Sequence, residues 1–170
     1  DSSTSRGLGD VYKRQKRQME KDWEEAPGKV MLDDYKNLLV PGIMDGNIFI
    51  TVQAPRGYGM DPAKIYHDPY VAPTHQYISF YQWIRDEWKA DAVIHVGTHG
   101  NLEWLPGKGA GLDRKSYPDL SLGDLPNIYP YHMTITGEGI QAKRRSAACL
   151  VDHLPAPLAE AGAVSYTHLR

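Results

Sequence analysis

The chain has 170 residues, a length typical of one ordinary domain and marginal for two. Hydrophobic residues make up 41% of it, enough to form a core, and the net charge of −2 gives no indication of nucleic-acid binding. The single cysteine, Cys149, excludes an internal disulfide and is typical of a reducing compartment. No apolar run approaches the ~20 residues that cross a bilayer, and the N-terminal residues lack an apolar signal segment. We therefore expect a soluble, cytoplasmic protein without a membrane span.

The two ends of the sequence differ from the rest. Residues 1–15 follow neither a helical nor a strand period, and residues 164–170 break off in the middle of a segment. We interpret both as non-native tails, with a disordered tail as the alternative. Residues 16–163 are then expected to be part of something larger.

The predicted elements alternate in type along the chain. A short charge-rich helix is expected over 16–26, and a strand over 47–53 is rich in β-branched and aromatic residues between turn signals. The pattern predicts a longer helix over 73–89, with Thr74 among its start signals. Its apolar residues recur at helical spacing in a single stripe: Tyr77, Phe80, Tyr81, Ile84 and Trp88.

The second half of the chain begins with an apolar run at 91–96 that is typical of a buried parallel strand. Strand, helix and strand in this order indicate a β-α-β unit and an α/β fold class. Residues 111–135 are rich in loop signals, and a second helix is expected over 137–152 with Thr136 as N-cap. The apolar side of that helix would consist of Ile140, Ala147, Val151 and Leu154.

The stretch HVGTHGNLEWLPGKG, residues 95–109, places two histidines, a glutamate and a lysine among four glycines. Glycine weakens helices and strands, and a buried imidazole or carboxylate must find a partner. The composition therefore indicates a site more than a scaffold. Because ligands bind at the carboxyl ends of strands in open α/β sheets, we expect a glycine-rich loop at that end to contact the ligand.

Three of these side chains, His95, His99 and Glu103, recur every four residues. On a helix this spacing would place three metal ligands on one face. Gly97 and Gly100 make a regular helix doubtful, so two interpretations stay open. Either the three residues form a metal or catalytic site, or His95 bonds to backbone at the strand end and one of the others is functional. A zinc hydrolase built on the three is a remote alternative.

Other charged positions have simpler explanations on the sequence alone. Lys108 does not complete a phosphate-binding loop, because six residues separate Gly100 from Gly107 and glycine follows the lysine. ATP hydrolysis by this chain is therefore not expected. The basic residues at 143–145 are typical of a solvated helix face, and His75 is typical of a structural partner.

Six stretches in a fixed order resemble the large subunit of cobaltochelatase, which is homologous to the porphyrin-binding H subunit of magnesium chelatase. They are EKDWEEAPG, VPGIMDGNIFI, PRGYGMDPAKIYHDP, HVGTHGNLEWLPGKGAGL, SYPDLSLGDLPNIYPY and GEGIQAKRRSAA. The resemblance extends from about Met19 to Ala163. Because proteins of this family are much longer, it implies that the chain is a fragment of a larger multidomain subunit.

The resemblance implies an enzyme that inserts Co²⁺ into hydrogenobyrinic acid a,c-diamide on the route to cobalamin, with ATP hydrolysed by separate AAA+ partner subunits. One alternative is the H component of magnesium chelatase, which inserts Mg²⁺ into protoporphyrin IX. Another is a tetrapyrrole-binding module without catalysis. In each case the ligand is a tetrapyrrole, neither nucleic acid nor a membrane is an expected partner, and the fragment alone is expected to be inactive.

The implied reaction assigns roles to residues of this sequence. A metal must replace the inner N–H protons of the macrocycle, so the site needs a proton acceptor and groups that deliver a partly dehydrated metal. We predict Glu103 as general base, with His95 and His99 as metal ligands or proton relays and His75 as a weaker candidate ligand. Basic side chains would hold peripheral carboxylates, and Trp104 or Tyr58 would stack on the ring. The predicted substrate-binding residues are Arg56, Trp104, Lys108, Glu138, Arg144 and Arg145.

Overall fold

The computed structural model describes residues 2–59, 65, 66, 68–97, 100–131 and 136–152. Within them the first half of the chain contains helix α1, Ser2–Trp23, strands β1, Ile43–Asp45, and β2, Ile48–Ile50, helix α2, His75–Gln82, and the π-helical turn Trp83–Glu87. The second half contains strand β3, Val93–Ile94, the 3₁₀ turn Leu102–Trp104, helix α3, Tyr117–Leu122, strand β4, Asn127–Pro130, helix α4, Thr136–Ser146, and strand β5, Cys149–Val151.

Strands β3, β4 and β5 form a parallel sheet in that order. Val93 of β3 lies opposite Asn127 of β4, and Ile128 lies opposite Cys149 of β5. Helix α4 connects β4 to β5, so this half of the chain contains a β-α-β unit. The predicted α/β class is therefore confirmed, and the strand expected over 91–96 is present as β3.

The strand predicted over 47–53 belongs to a different sheet from the one expected. It is shorter, and β2 pairs antiparallel with β1 in a two-stranded hairpin. The turn between them contains Gly46, whose φ of +57° favours glycine. The predicted β-α-β unit of strand 47–53, helix 73–89 and strand 91–96 is therefore wrong, because the hairpin does not join the parallel sheet.

The helix predicted over 73–89 is present, but its last turn is π-helical. Thr74 is its N-cap, as predicted, because its side-chain oxygen accepts the backbone N–H of Tyr77 at 3.1 Å. The α-helical part ends at Gln82 and a π-helical turn follows. The predicted apolar stripe lies largely in the core: Tyr77, Phe80, Tyr81 and Ile84 are buried.

In the second half of the chain one prediction gains detail and another needs correction. Residues 111–135, predicted to be rich in loop, also contain the short elements α3 and β4. The helix expected over 137–152 ends at Ser146, and Val151 lies in β5 instead of on the helix. Ile140, expected on the apolar side of the helix, is exposed. Residues 149–151 are apolar and follow the helix after two alanines, so their composition alone does not distinguish a strand from a continuation of the helix.

Helix α1 extends through residues that were predicted to be a non-native tail. Its end docks on the domain, because the Tyr117 hydroxyl donates to the carbonyl of Gln15 at 3.2 Å and the indole N–H of Trp23 donates to the carbonyl of Ala72 at 2.6 Å. The assignment of 1–15 and 164–170 as non-native and of 16–163 as one part of a larger domain stays a prediction. Residues 164–170 lie outside the described residues.

The main core lies among α2, α3 and the 3₁₀ turn. It buries large apolar side chains such as Tyr77, Phe80, Leu102, Leu105, Tyr117 and Leu120. A smaller cluster joins β4 to α4 through Tyr129, Tyr131, Ala142 and Ala148. None of the helices in the described part of the chain has the length and apolar character needed to span a bilayer.

Candidate functional site

The glycine-rich stretch 95–109 starts at the carboxyl edge of the parallel sheet. His95 directly follows β3, and its backbone N–H donates to the carbonyl of Ile128 at 2.8 Å. Gly97 forms a parallel bridge with Tyr131, which directly follows β4. The loop is therefore at the edge where the sequence placed it, beside the ends of two neighbouring strands.

His95 and Glu103 do not lie on one helix. His95 directly follows β3 and Glu103 lies in a single 3₁₀ turn, in agreement with the expectation that Gly97 and Gly100 disfavour a regular helix here. The glycines between them favour the extended and irregular backbone. His99 lies outside the described residues, and no group of three or more metal-binding side chains occurs among the residues that are described.

Glu103 is a buried carboxylate at the base of this loop, with 1% of its surface exposed. Burial raises its pKa, and the nearby charge of Glu138 acts in the same direction. The hydroxyl of Tyr129 donates to Glu103 Oε2 at 2.8 Å, and this bond and the charge of Arg145 oppose the rise. A carboxylate whose pKa is raised above its ordinary value is a better proton acceptor at neutral pH.

Gly100 lies directly over the Glu103 carboxylate. A Cβ atom at residue 100 would be 2.5 Å from Oε1, 2.6 Å from Oε2 and 2.8 Å from the hydroxyl oxygen of Tyr131. Only glycine leaves room for this approach. Because Gly100 itself is partly exposed, the carboxylate and the Tyr131 hydroxyl lie just beneath the accessible backbone of the loop.

His95 has both ring nitrogens bonded to side chains. Its Nδ1 lies 2.7 Å from Asn127 Oδ1, and Asn127 is oriented by its own Nδ2, which donates to the carbonyl of Ser146 at 2.8 Å. Since that oxygen can only accept, Nδ1 carries the proton and Nε2 accepts from the hydroxyl of Tyr81 at 2.7 Å. Burial lowers the pKa of His95 to about 4, so the ring is neutral at pH 7.

The hydrogen-bonded chain continues from Tyr81 away from His95. Gln53 Nε2 donates to the hydroxyls of Tyr81 at 2.6 Å and Tyr77 at 3.0 Å, and the Tyr77 hydroxyl donates to Asn101 Oδ1 at 2.6 Å. Every donor in this chain has an acceptor of matching direction. The amides of Asn127 and Asn101 at its ends neither gain nor lose protons at neutral pH. The chain is therefore suited to holding the loop in place, because it connects His95 and Asn101 in the loop through side chains outside it.

Apart from His95, the polar residues of this network are not among the predicted site residues. Tyr77 and Tyr81 were interpreted as part of an apolar stripe, and Tyr129 and Asn127 lie in a segment predicted to be loop. The available signal was the use of tyrosine on a core-facing helix stripe, because a buried phenol needs a hydrogen-bond partner. His95 itself bonds at the strand end through its backbone N–H to Ile128, whereas its ring bonds to the side chains of Tyr81 and Asn127.

The predicted substrate-binding residues fall into two groups. Arg56 and Arg145 are buried, and their guanidinium groups donate to backbone carbonyls: Arg56 to those of Tyr66, Asp68 and Val71, and Arg145 to those of Glu103, Leu105 and Lys108. Lys108, Trp104 and Arg144 are exposed, and Glu138 is partly exposed on α4. The binding roles of all six residues stay predictions. Tyr58, the alternative stacking residue, instead packs its ring 4.8 Å from that of Trp23.

His75 lies at the first residue of α2 and is buried. Its Nε2 is 2.9 Å from the carbonyl oxygen of Glu24, so this nitrogen donates to the backbone after α1. The geometry matches the structural interpretation of this histidine. Its role as a metal ligand stays a prediction.

The structure is that of an α/β protein with a buried glutamate of raised pKa beside the carboxyl edge of a parallel sheet. The family model described as CobN/magnesium chelatase matches residues 7–170. The chain belongs to this family of metal chelatase large subunits.

The similarity to individual relatives covers most of this chain. It is 54% identical over 143 residues to an uncharacterized protein of Methanocaldococcus jannaschii, which covers 84% of this chain and 11% of the relative. It is 50% identical over 148 residues to the aerobic cobaltochelatase subunit CobN of Pseudomonas aeruginosa, covering 87% of this chain and 12% of the relative. The H subunit of the magnesium chelatase of Rhodobacter capsulatus is 41% identical over 144 residues, covering 85% and 12%.

A solved structure has the same fold. The catalytic subunit of cobaltochelatase from Mycobacterium tuberculosis superposes with a TM-score of 0.73 at 38% identity, covering 95% of this chain and 15% of that subunit. The chain therefore spans roughly a tenth to a seventh of the length of the proteins that it matches.

Proposed function

We propose that this chain is part of the large subunit of an ATP-dependent cobaltochelatase, which inserts Co²⁺ into hydrogenobyrinic acid a,c-diamide in cobalamin biosynthesis. The observation that carries the proposal is Glu103, a buried carboxylate of raised pKa beneath a glycine loop in a metal chelatase family. Hydrolysis of ATP would belong to separate AAA+ partner subunits, since the sequence around Lys108 lacks a phosphate-binding loop.

Metal insertion requires a proton acceptor, and Glu103 would fill this role. When a divalent metal enters the ring, two N–H bonds of the macrocycle break and both protons must leave. The carboxylate form of Glu103 would accept a proton, and its raised pKa gives it a greater proton affinity than an exposed glutamate has. The hydroxyl of Tyr129 would stabilise the ionised form between turnovers, because it donates to Oε2.

The backbone over the carboxylate suits a flat substrate. Gly100 has no side chain to separate the carboxylate from a planar ring lying on the loop. The exposed Trp104 and Lys108 follow in the same loop and would contact the ring and its peripheral carboxylates. Exposed Arg144 would contribute a further carboxylate contact from α4.

Cobalt is the preferred metal in this proposal because identity is higher to the cobalt enzymes. It is 50% to the Pseudomonas cobaltochelatase subunit, against 41% to the Rhodobacter magnesium-chelatase subunit over nearly the same length. The alternative is Mg²⁺ insertion into protoporphyrin IX, since both enzymes belong to the family.

The test uses the full-length parent subunit with its ATPase partners. Metal insertion would be followed by absorbance for wild type, Glu103→Ala and Glu103→Gln, with Co²⁺ and hydrogenobyrinic acid a,c-diamide and with Mg²⁺ and protoporphyrin IX. We expect cobalt insertion by wild type and a loss of ~100-fold or more in both variants, the scale of a positioned general base. Lys143→Gln is a suitable control, because Lys143 is exposed on α4.

Each other result has a definite meaning. Insertion of magnesium alone would replace cobalt in the proposal. Tight macrocycle binding without insertion of either metal would indicate a non-catalytic binding module. Full activity of Glu103→Gln would leave the family assignment intact and remove Glu103 from the mechanism.

A further inference from the structure

We infer that Arg145 is a positioning residue that fixes the backbone of the Glu103 loop, and that it does not bind substrate carboxylates. All three guanidinium nitrogens donate to carbonyls of that loop: Nη1 to Glu103, Nη2 to Leu105 at 2.7 Å and Nε to Lys108 at 2.9 Å. A single side chain from α4 therefore holds the loop at three points between its 3₁₀ turn and its exposed tip.

In this conformation Arg145 cannot also bind a substrate carboxylate. The residue is buried. A substrate carboxylate could bind the guanidinium only by displacing these three carbonyls, and no other side-chain donor to them is described at this loop. The loop is fixed from one further side, where the Ser116 hydroxyl oxygen accepts the backbone N–H of Lys108 at 2.9 Å. Arginine suits the task because its planar fork presents several donors in fixed directions, whereas lysine has one nitrogen.

The charge of Arg145 adds a second effect on Glu103. The titratable and charged groups around this carboxylate include Tyr129 and Tyr131 from the sheet, Glu138 and Arg145 from α4, and Tyr77 and Tyr81 from α2. The positive charge of Arg145 favours the ionised carboxylate, so its removal raises the pKa of Glu103 further. A residue that only stabilised the fold would not change the pH dependence of the reaction.

The test compares Arg145→Lys and Arg145→Gln in the full-length subunit with its partners, by steady-state metal insertion. We expect kcat to fall at least ~10-fold in both variants, with KM for the macrocycle within about twofold of wild type, since a misplaced catalytic group lowers kcat. The acid limb of the pH–rate profile should move to higher pH in Arg145→Gln and stay in place in Arg145→Lys, which keeps the charge. Lys143→Gln removes an exposed charge two residues away and is the matched control.

This role presupposes the chelatase function proposed above, and the two can fail separately. If wild type inserts metal and Glu103→Gln does not, a raised KM with unchanged kcat in Arg145→Gln would show a substrate contact and overturn the positioning role. Unchanged kcat and an unmoved acid limb would overturn it as well. If Glu103→Gln is fully active, the proposed function of Glu103 is the part that fails.

A separate observation concerns the outer face of the parallel sheet, and from it we propose a docking surface for a helix from the remainder of the same subunit. Alternate residues of the strands and their continuations point to this face: Ile94, Val96, Ile128, Pro130, Cys149 and Val151. All six are apolar or weakly polar, yet Ile94 is 63% exposed, Val96 80% and Val151 54%. Solvent-facing strand positions are ordinarily polar.

The expected occupant follows from the type of sheet and the size of the relatives. Parallel sheets are covered by helices on both faces, and here the other face carries Tyr129, Tyr131 and Leu150 against α4. The chain covers only 12% of the Pseudomonas subunit that it resembles, so a large part of such a protein is available to cover the outer face. An amphipathic helix with an aliphatic stripe has the matching chemistry.

Cys149 allows this surface to be tested directly in the full-length subunit. Alkylation of its thiol would be followed by mass spectrometry of the tryptic peptide that begins at Ser146, in the native subunit and after unfolding in urea. We expect the native thiol to react at least ~100-fold more slowly, because it lies beneath a helix. Native and unfolded thiols reacting at similar rates would overturn the proposal, as would protection that requires an added partner subunit.

Discussion

Gly100 is the residue at which the smallest change should have the largest effect on the site. The methyl group of Gly100→Ala would lie 2.5 and 2.6 Å from the two carboxylate oxygens of Glu103, so the carboxylate or the loop must move. Displacements of about 1 Å at a catalytic group can cost ~100-fold in rate. We therefore expect Gly100→Ala in the full-length subunit to lose activity on that scale, measured by metal insertion.

Gly109 in the same loop provides the matched control. A Cβ at this residue would have no heavy atom within 4 Å, so Gly109→Ala should insert metal at close to the wild-type rate. Equal activity of the two alanine variants would show that the packing of Gly100 against Glu103 is not needed for the reaction.

His95 should make the sheet edge less stable in acid. Its pKa is about 4 in the folded protein and about 6.5 in an unfolded chain, so the unfolded state binds more protons between these values. The full contribution of the neutral ring to the free energy of unfolding is present above pH 6.5, and it is lost as the pH falls towards 4. Between pH 7 and pH 5 the loss should be roughly 2 kcal/mol.

Hydrogen exchange in the full-length subunit measures this locally. Peptides covering β3 and β4 should show a fall in opening free energy from pH 7 to pH 5, after correction for the intrinsic exchange rates. In His95→Gln, which cannot titrate, the fall should be much smaller. The same pH dependence in wild type and variant would assign it to other groups.

At the residue scale, the sequence could select a candidate loop more readily than it could describe its hydrogen bonds. The composition of 95–109 and the strand before it predicted a loop at the carboxyl edge of the parallel sheet, and the loop begins there. The partners of His95 could not be inferred, since Asn127 and Tyr81 are distant in sequence and meet through the sheet register. Arg145 was assigned to substrate for a similar reason: its charge is visible in the sequence, and the carbonyls that it contacts are not.

At the element scale, the start of α2 depends on a single cap. Thr74 accepts the N–H of Tyr77 at 3.1 Å through its hydroxyl oxygen, which satisfies one of the unpaired donors of the first turn. Thr74→Ala should destabilise the helix by about 1 kcal/mol, the usual loss on removing a cap. Because Tyr77 and Tyr81 are on this helix, the loss should also appear as faster hydrogen exchange in the residues around His95.

Thr74→Ser is the control for this prediction, because it keeps the capping oxygen and removes only a methyl group. It should exchange at close to the wild-type rate. If Thr74→Ser and Thr74→Ala are equally destabilised, the effect comes from the packing of the threonine methyl group and the cap is not responsible.

The same contrast between local and distant information explains which elements the sequence could predict. Helix α2 has a cap signal and a periodic stripe, which are local, and it was found in nearly the right place. Strand β5 has three residues and follows α4 after two alanines, so local composition continued the helix through it. Its strand character comes from hydrogen bonds to β4, as Ile128 lies opposite Cys149. The hairpin was assigned to the wrong sheet because a short apolar run carries no information about its pairing partner.

At the scale of the whole molecule, two sheets present apolar faces to solvent. The outer face of the parallel sheet is one, and the hairpin is the other: Phe49 packs against Trp83 and Trp88, whereas Ile43, Ile48 and Ile50 are exposed. A two-stranded hairpin is marginally stable in water unless one of its faces is covered. Contiguous exposed apolar surface of this kind is typical of interfaces.

The isolated 170-residue chain should therefore self-associate and should not insert metal. We expect it to elute from a size-exclusion column at an apparent mass above the 19.1 kDa of one chain. It should also bind a hydrophobic dye, and the full-length subunit should bind less dye per chain. The double substitution Ile48→Lys and Ile50→Lys places charges on the open hairpin face without touching Phe49, so it should shift the isolated chain towards monomer. Tyr35→Lys removes an even more exposed large side chain outside both sheets and should leave the association unchanged. A monomeric wild-type chain that binds no dye would mean that its own residues cover both faces in solution, and the requirement for the rest of the subunit would then have to lie in the substrate site alone.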